Sequence, residues 1–165
     1  MKHFRAVAIS AAILVLLLPA SAYADATLFL GANTSPSNRT AKGFAVGAGL
    51  LVVAFEFEYS DTTDDVASRA PSLKTGMGNL LLQSPVALAG FQPYFTIGAG
   101  VYHEDLGVNG SIADNTGFGA NTGAGVKINL VGPIRLRVDY RVFTLKNGAL
   151  TSPAHRVYAG LNLKF

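Results

Sequence analysis

From Asp25 onward the chain changes polarity at every second residue, in runs of roughly ten positions separated by turn-rich stretches. Successive side chains of a strand point to opposite faces, so each run reads as a strand with two unlike faces. Around Phe44–Leu50 the large apolar residues fall on one face and Gly or Ala on the other, and Phe55, Phe57 and Tyr59 alternate with Glu56 and Glu58. Phe95, Ile97, Ala99 and Val101 stand against Tyr94, Thr96, Gly98 and Gly100, and Phe118 to Ile128 repeats the theme against Gly119, Asn121, Gly123, Gly125 and Lys127. Ile134, Leu136, Val138, Tyr140 and Val142 oppose Arg135, Arg137, Asp139 and Arg141. The last run sets Val157, Ala159, Leu161, Leu163 and Phe165 against Arg156, Tyr158, Gly160, Asn162 and Lys164. Less regular runs near 26–34 and 73–83 bring the count to eight; the facing of the second stays open, because Gly76 and Gly78 share a side with Leu80 and Leu82.

The connections alternate too. Polar stretches at Thr34–Lys42, Asp61–Ser72, Glu104–Asn115 and Lys146–Ala154 follow the first, third, fifth and seventh runs, with shorter links near 51–54, 83–92 and 131–133 between them. Long loops at one end, with short turns and both termini at the other, predict an all-β, eight-stranded antiparallel up-and-down transmembrane β-barrel over residues 25–165. No run of 18 apolar residues supplies a membrane helix. A soluble ligand-carrying barrel also alternates, but it turns its apolar face inward. Here the apolar face carries the bulk, while five Gly-x-Gly pairs (47/49, 76/78, 98/100, 117/119, 123/125) crowd small residues onto single faces. The bore of eight strands is just wide enough for side chains, so the face with the glycines and few charges belongs inside.

Composition and charge then refine the reading. Only 14% of residues are charged and none is Cys, which excludes a disulfide scaffold, a thiolate metal site and a thiol nucleophile. The formal charge of +3 hints at a polyanion, but Lys2 and Arg5, the uncharged run Ala6–Leu18 and the small residues Ala22 and Ala24 make 1–24 a helical signal peptide, with cleavage between Ala24 and Asp25. Removing it leaves 11 bases against 10 acids, so a nucleic-acid partner loses its support.

The barrel reading places Glu56, Glu58, Lys127, Arg135, Arg137, Asp139 and Arg141 inside one narrow lumen. Strands four apart in a ring of eight face each other, so Glu56 and Glu58 should pair with the arginines across the bore. Such pairs serve as a packed plug or, alternatively, as the gate of a narrow porin-like channel for water, ions or small solutes. Reactive chemistry is sparse: His103-Glu104-Asp105 reads as a solvated approach to a loop, and no cofactor motif, catalytic set or metal-ligand spacing occurs. No enzyme is expected.

The last residues alternate without error and stop on Phe165, with Val157, Ala159, Leu161 and Leu163 at every second position before it. This resembles the C-terminal assembly signal of Gram-negative outer-membrane proteins. With segments such as Phe55-Glu56-Phe57-Glu58-Tyr59 and Pro93-Tyr94-Phe95-Thr96-Ile97-Gly98-Ala99-Gly100, residues 25–165 resemble the small outer-membrane barrel family that includes the OmpA transmembrane domain, OmpX and the opacity-type surface proteins. The resemblance implies a monomer in the bacterial outer membrane, in contact with its lipid and lipopolysaccharide and inserted by the barrel-assembly machinery. It further implies a structural role, or a surface-interaction role through the extracellular loops.

Overall fold

Strands with two unlike faces can satisfy every backbone group without leaving a free edge only by closing into a ring. A computed structural model describes residues 22–108 and 111–165 and has this closed form. The strands are β1 (Ala22–Asn33), β2 (Arg39–Leu50), β3 (Val53–Thr62), β4 (Ser72–Gln83), β5 (Phe91–Val108), β6 (Ser111–Val131), β7 (Ile134–Leu145) and β8 (Ala154–Lys164). Each pairs antiparallel with its sequence neighbours, and β8 returns to β1 in the register Asp25↔Lys164 to Asn33↔Arg156. The seam continues past the strand end, where Ala24 and Phe165 exchange two backbone hydrogen bonds of 2.8 and 2.9 Å.

The two ends differ as the connections require. Leu51-Val52 joins β2 to β3 and Gly132-Pro133 joins β6 to β7; Leu51 and Gly132 carry the positive φ angles (52° and 56°) that reverse the chain this tightly. Gly132 takes that conformation without a Cβ penalty. The segments Thr34–Asn38, Thr63–Pro71 and Lys146–Pro153 lie at the opposite end.

Side-chain polarity is inverted relative to a water-soluble domain. Leu28, Phe55 and Phe118 on the outer wall are 73%, 70% and 70% exposed, whereas Arg137, Arg141 and Glu58 are fully buried. On β4 the register settles the open facing: Thr75, Met77, Asn79 and Leu81 are buried inside, so Gly76 and Gly78 lie on the outer wall with Leu80 and Leu82. The crowded glycines are the inward ones. A Cβ on Gly98 would meet Asn79 Oδ1 at 2.0 Å, and one on Gly43 would meet the Phe29 ring at 2.5 Å.

Several boundaries expected from polarity move. Glu104–Asn115 is not a loop: β5 and β6 pair continuously from Glu104↔Asn115 outward to Val108↔Ser111. A strand outside an apolar slab needs no apolar face, so the polar composition there misled. Arg39–Lys42 belongs to β2, Asp61 and Thr62 to β3, and the first link contracts from 51–54 to two residues. Most of the expected signal peptide lies outside the described residues; Ala22–Ala24 form the start of β1, paired with Leu50–Ala48.

Candidate functional site: the closed, charged lumen

The inward positions of the eight strands build the lumen layer by layer. At the turn end Tyr23, Ala54, Leu81 and Tyr94 pack together, and Gln83 hydrogen-bonds the Tyr23 hydroxyl. Above them Asp25 of β1 accepts hydrogen bonds from Lys127 Nζ of β6 at 2.5 Å and Arg135 Nη2 of β7 at 2.9 Å. Arg135 is held further by Asn162 (2.7 Å) and Gln92 (3.1 Å).

The middle layer carries the cross-lumen pairs. Arg137 clasps Glu56 with both terminal nitrogens, the Nη2–Oε1 contact measuring 3.2 Å, and Arg141 Nη2 donates to the same Oε1 at 2.9 Å. Asp139 accepts from Arg137 Nη2 at 3.1 Å and from Arg141 Nε at 3.0 Å, and Tyr94 donates its hydroxyl proton to it. Arg141 also reaches Glu58 at 3.2 Å, and Glu58 pairs with Arg156 of β8. Three acids, Glu56, Glu58 and Asp139, thus meet three guanidinium groups, Arg137, Arg141 and Arg156, all of them buried. Aromatic faces complete the packing: Phe29 stacks on Tyr158 with ring centroids 4.1 Å apart, and the Arg156 guanidinium lies 4.6 Å from the Phe143 ring centre.

Toward the loop end an apolar cluster of Leu73, Met77, Tyr102, Phe143, Leu145 and Ala154 forms a plug, completed by the buried polar pairs Ser60–Thr75 (2.7 Å) and Asn33–Thr62 (3.1 Å). Above this plug, buried side chains pin the loops. Glu104 accepts the backbone N–H groups of Leu150 (3.0 Å) and Thr151 (2.9 Å), and Tyr102 donates to the Lys146 carbonyl. Arg39 donates to the carbonyls of Ser35 and Pro71, tying two loops together. In the loop between β3 and β4, hydrogen bonds from Ser68 hold the Asp65 carboxyl below the usual carboxylate range.

All seven charges expected inside (Glu56, Glu58, Lys127, Arg135, Arg137, Asp139 and Arg141) are therefore buried in one connected lumen. Asp25 and Arg156 join them, and Glu104 is buried separately above the plug. In the sequence Asp25 marks only a processing boundary, and Arg156 alternates onto the face of β8 opposite the apolar residues without a named partner. Glu104 corrects the reading of His103-Glu104-Asp105 as a solvated run, since it is buried between His103 on the outer wall and exposed Asp105. At the C-terminus Val157, Ala159, Leu161, Leu163 and Phe165 all face outward.

The outer wall offers little reactive chemistry. His103 Nδ1 contacts Thr116 Oγ1 at 2.9 Å and Asp114 Oδ1 at 3.3 Å, so both neighbours share one ring nitrogen. His155 Nδ1 meets the Tyr140 hydroxyl at 2.7 Å. A relay that activates a nucleophile needs hydroxyl and carboxylate on opposite nitrogens, which neither histidine has among the described residues. No group of three metal-ligating side chains comes together among these residues either.

The fold is that of the small outer-membrane β-barrels. No family model matches the chain, and no curated protein matches it by sequence. Solved structures do. The N-terminal barrel domain of Pseudomonas aeruginosa OprF superposes with a TM-score of 0.67 at 16% identity, covering 87% of this chain and 97% of that one. Neisserial surface protein A gives 0.67 at 15% identity, covering 87% and 96%. The outer membrane enzyme PagL gives 0.51 at 14% identity, covering 86% and 98%, so the same architecture also carries an enzyme. At these identities the likeness is one of fold.

Proposed function

We propose that this chain is an integral protein of the bacterial outer membrane whose lumen is sealed, and that it works through its loops at the cell surface or as a structural element of the membrane. The observation that carries the reading is the inverted polarity: the outer wall exposes Leu28, Phe55, Ile97 and Phe118 while the charges are buried. In water that distribution exposes far more contiguous apolar surface than a soluble monomer tolerates. In a bilayer it is the low-energy arrangement, because the closed ring pairs every strand and lipid covers the apolar wall. Lipid and lipopolysaccharide are then the partners of the wall, and the exposed C-terminal strand fits recognition by the assembly machinery during insertion. A signal peptide over residues 1–24, cleaved between Ala24 and Asp25, is the export route this reading requires; cleavage there removes the Tyr23–Gln83 and Ala24–Phe165 contacts, and the mature β1 starts at Asp25, paired with Lys164.

A sealed lumen favours a structural or surface role over transport. Three buried acids meet three buried guanidinium groups beneath the Leu73–Phe143 cluster, so side chains, and not open space, occupy the bore at that level. Neisserial surface protein A shares the fold, which supports a surface role here. The test is membrane fractionation with gel migration before and after boiling. The protein should pellet with the outer membrane and migrate faster unboiled; a soluble protein whose migration ignores boiling would overturn the proposal.

A further inference from the structure

The turn between β4 and β5 is longer than connection requires. The other two links at that end use two residues each, whereas Ser84–Gly90 spans seven, and all three links lack a charged residue. The extra length is ordered. Leu88 and Phe91 exchange backbone hydrogen bonds of 2.9 and 3.0 Å around Ala89 and Gly90, whose φ angles of 51° and 87° form a tight hairpin. Ser84 Oγ donates to the Val86 carbonyl at 2.6 Å, and Gln92 Nε2 donates to the Ser84 carbonyl at 2.8 Å. This scaffold holds Val86 and Leu88 outward, 61% and 63% exposed.

The tip does not stand alone. Gly90 accepts a hydrogen bond from Asn129 N at 2.9 Å, bringing the hairpin beside the lower end of β6, where Leu130 and Val131 are exposed. Phe91 and Leu82, at the roots of the hairpin, are exposed on the outer wall. The apolar surface therefore runs without a charged interruption from the wall onto the hairpin tip. A periplasmic protein partner would find no charge on the hairpin itself to set orientation or specificity, the exposed rim charge Lys164 standing on β8. A phospholipid leaflet needs none, and it already adjoins the surface with which the tip is continuous.

We propose that the Ser84–Gly90 hairpin is a membrane anchor, with Val86 and Leu88 inserted into the interfacial layer of the phospholipid leaflet at the turn end of the barrel. The proposal rests on the membrane reading above. Its consequence is positional: the turn end is seated in lipid and does not project into the periplasm, so the barrel's exposed mass lies on the loop side.

The protein contains no Trp, so one introduced indole reports its own surroundings. Leu88→Trp, Val86→Trp and, on the mid-wall, Leu28→Trp would each be refolded into phosphatidylethanolamine/phosphatidylglycerol vesicles with and without brominated acyl chains. Unboiled gel migration confirms folding of each. The anchor predicts that the two hairpin reporters lose emission in the brominated vesicles, most strongly with bromine near the headgroup, and resist aqueous acrylamide. Leu28→Trp should respond most to bromine deep in the chains. Hairpin reporters quenched by acrylamide and blind to bromine, while Leu28→Trp is bromine-quenched, would overturn the anchor and leave the membrane barrel standing. Hairpin reporters shielded from both quenchers would overturn it in favour of a protein contact. A Leu28→Trp reporter blind to bromine would instead remove the membrane reading, and the anchor with it.

Discussion

Arg137 on β7 grips Glu56 on β3 across the full width of the lumen, so two strands that share no backbone hydrogen bond are joined by side chains alone. Planar bidentate pairing suits this span, since the guanidinium fork fixes both distance and orientation. Neither residue has access to water, and a lone survivor would be a buried unpaired charge. Glu56→Gln should therefore cost about 3–5 kcal/mol, and Glu56→Met with Arg137→Met together should cost less than the sum of the two single changes. The measurement is the urea midpoint at which the fast-migrating folded band is lost.

The small face of the strands is a second point of strain. Gly98 lies against the Asn79–Asn121 hydrogen bond of 2.9 Å, and an added Cβ would also come within 2.6 Å of the Gly78 carbonyl. Gly98→Ala should destabilise the barrel by about 1–3 kcal/mol through forced displacement of these groups. Gly107, with nothing within 4 Å of an added Cβ, is the internal control. Its replacement by Ala should stay within about 0.5 kcal/mol of the native protein in the same urea titration.

The outer wall makes the opposite demand. Ile97 is exposed midway along the wall-facing part of β5 and should lie against acyl chains. Ile97→Arg should cost about 2–4 kcal/mol of folding free energy in lipid vesicles, the range for a charge facing the bilayer midplane. In a water-soluble barrel the same change at an exposed site would be harmless.

Alternation identified the barrel because its two demands coincide at every second residue: lipid outside accepts Phe55 and Phe57, and the bore inside accepts Glu56 and Glu58. It failed where only one demand operates. Beyond the slab nothing requires an apolar face, so His103-Glu104-Asp105 looked like a loop although β5 runs on to Val108. On β4 the outer wall tolerates Gly76 and Gly78 as readily as Leu80, so polarity alone did not choose a face, and the register had to. The lumen charges on β3 and β7 were legible from facing and strand count together. Asp25 was not, because its partners Lys127 and Arg135 are more than 100 positions away in the chain and only closure of β8 onto β1 brings them near.

Loop order depends on Glu104. Its carboxylate holds the amides of Leu150 and Thr151 in the middle of the Lys146–Pro153 loop. Glu104→Ala should leave the barrel folded while releasing the Lys146–Pro153 loop, at a local cost of about 1–3 kcal/mol for the orphaned groups. Limited proteolysis reads this as new cleavage within 146–153 with an unchanged core band.

The sealed lumen is tested most directly by planar-bilayer conductance of the purified protein, with unboiled gel migration of the same preparation establishing that it is folded. The native barrel should give no channel openings across the usual voltage range, because the Glu56, Glu58 and Asp139 pairs with Arg137, Arg141 and Arg156 fill the bore beneath the Leu73–Phe143 cluster. Discrete openings from the folded native protein, altered in size or frequency by Glu56→Gln, would contradict it and make the same ion pairs a gate.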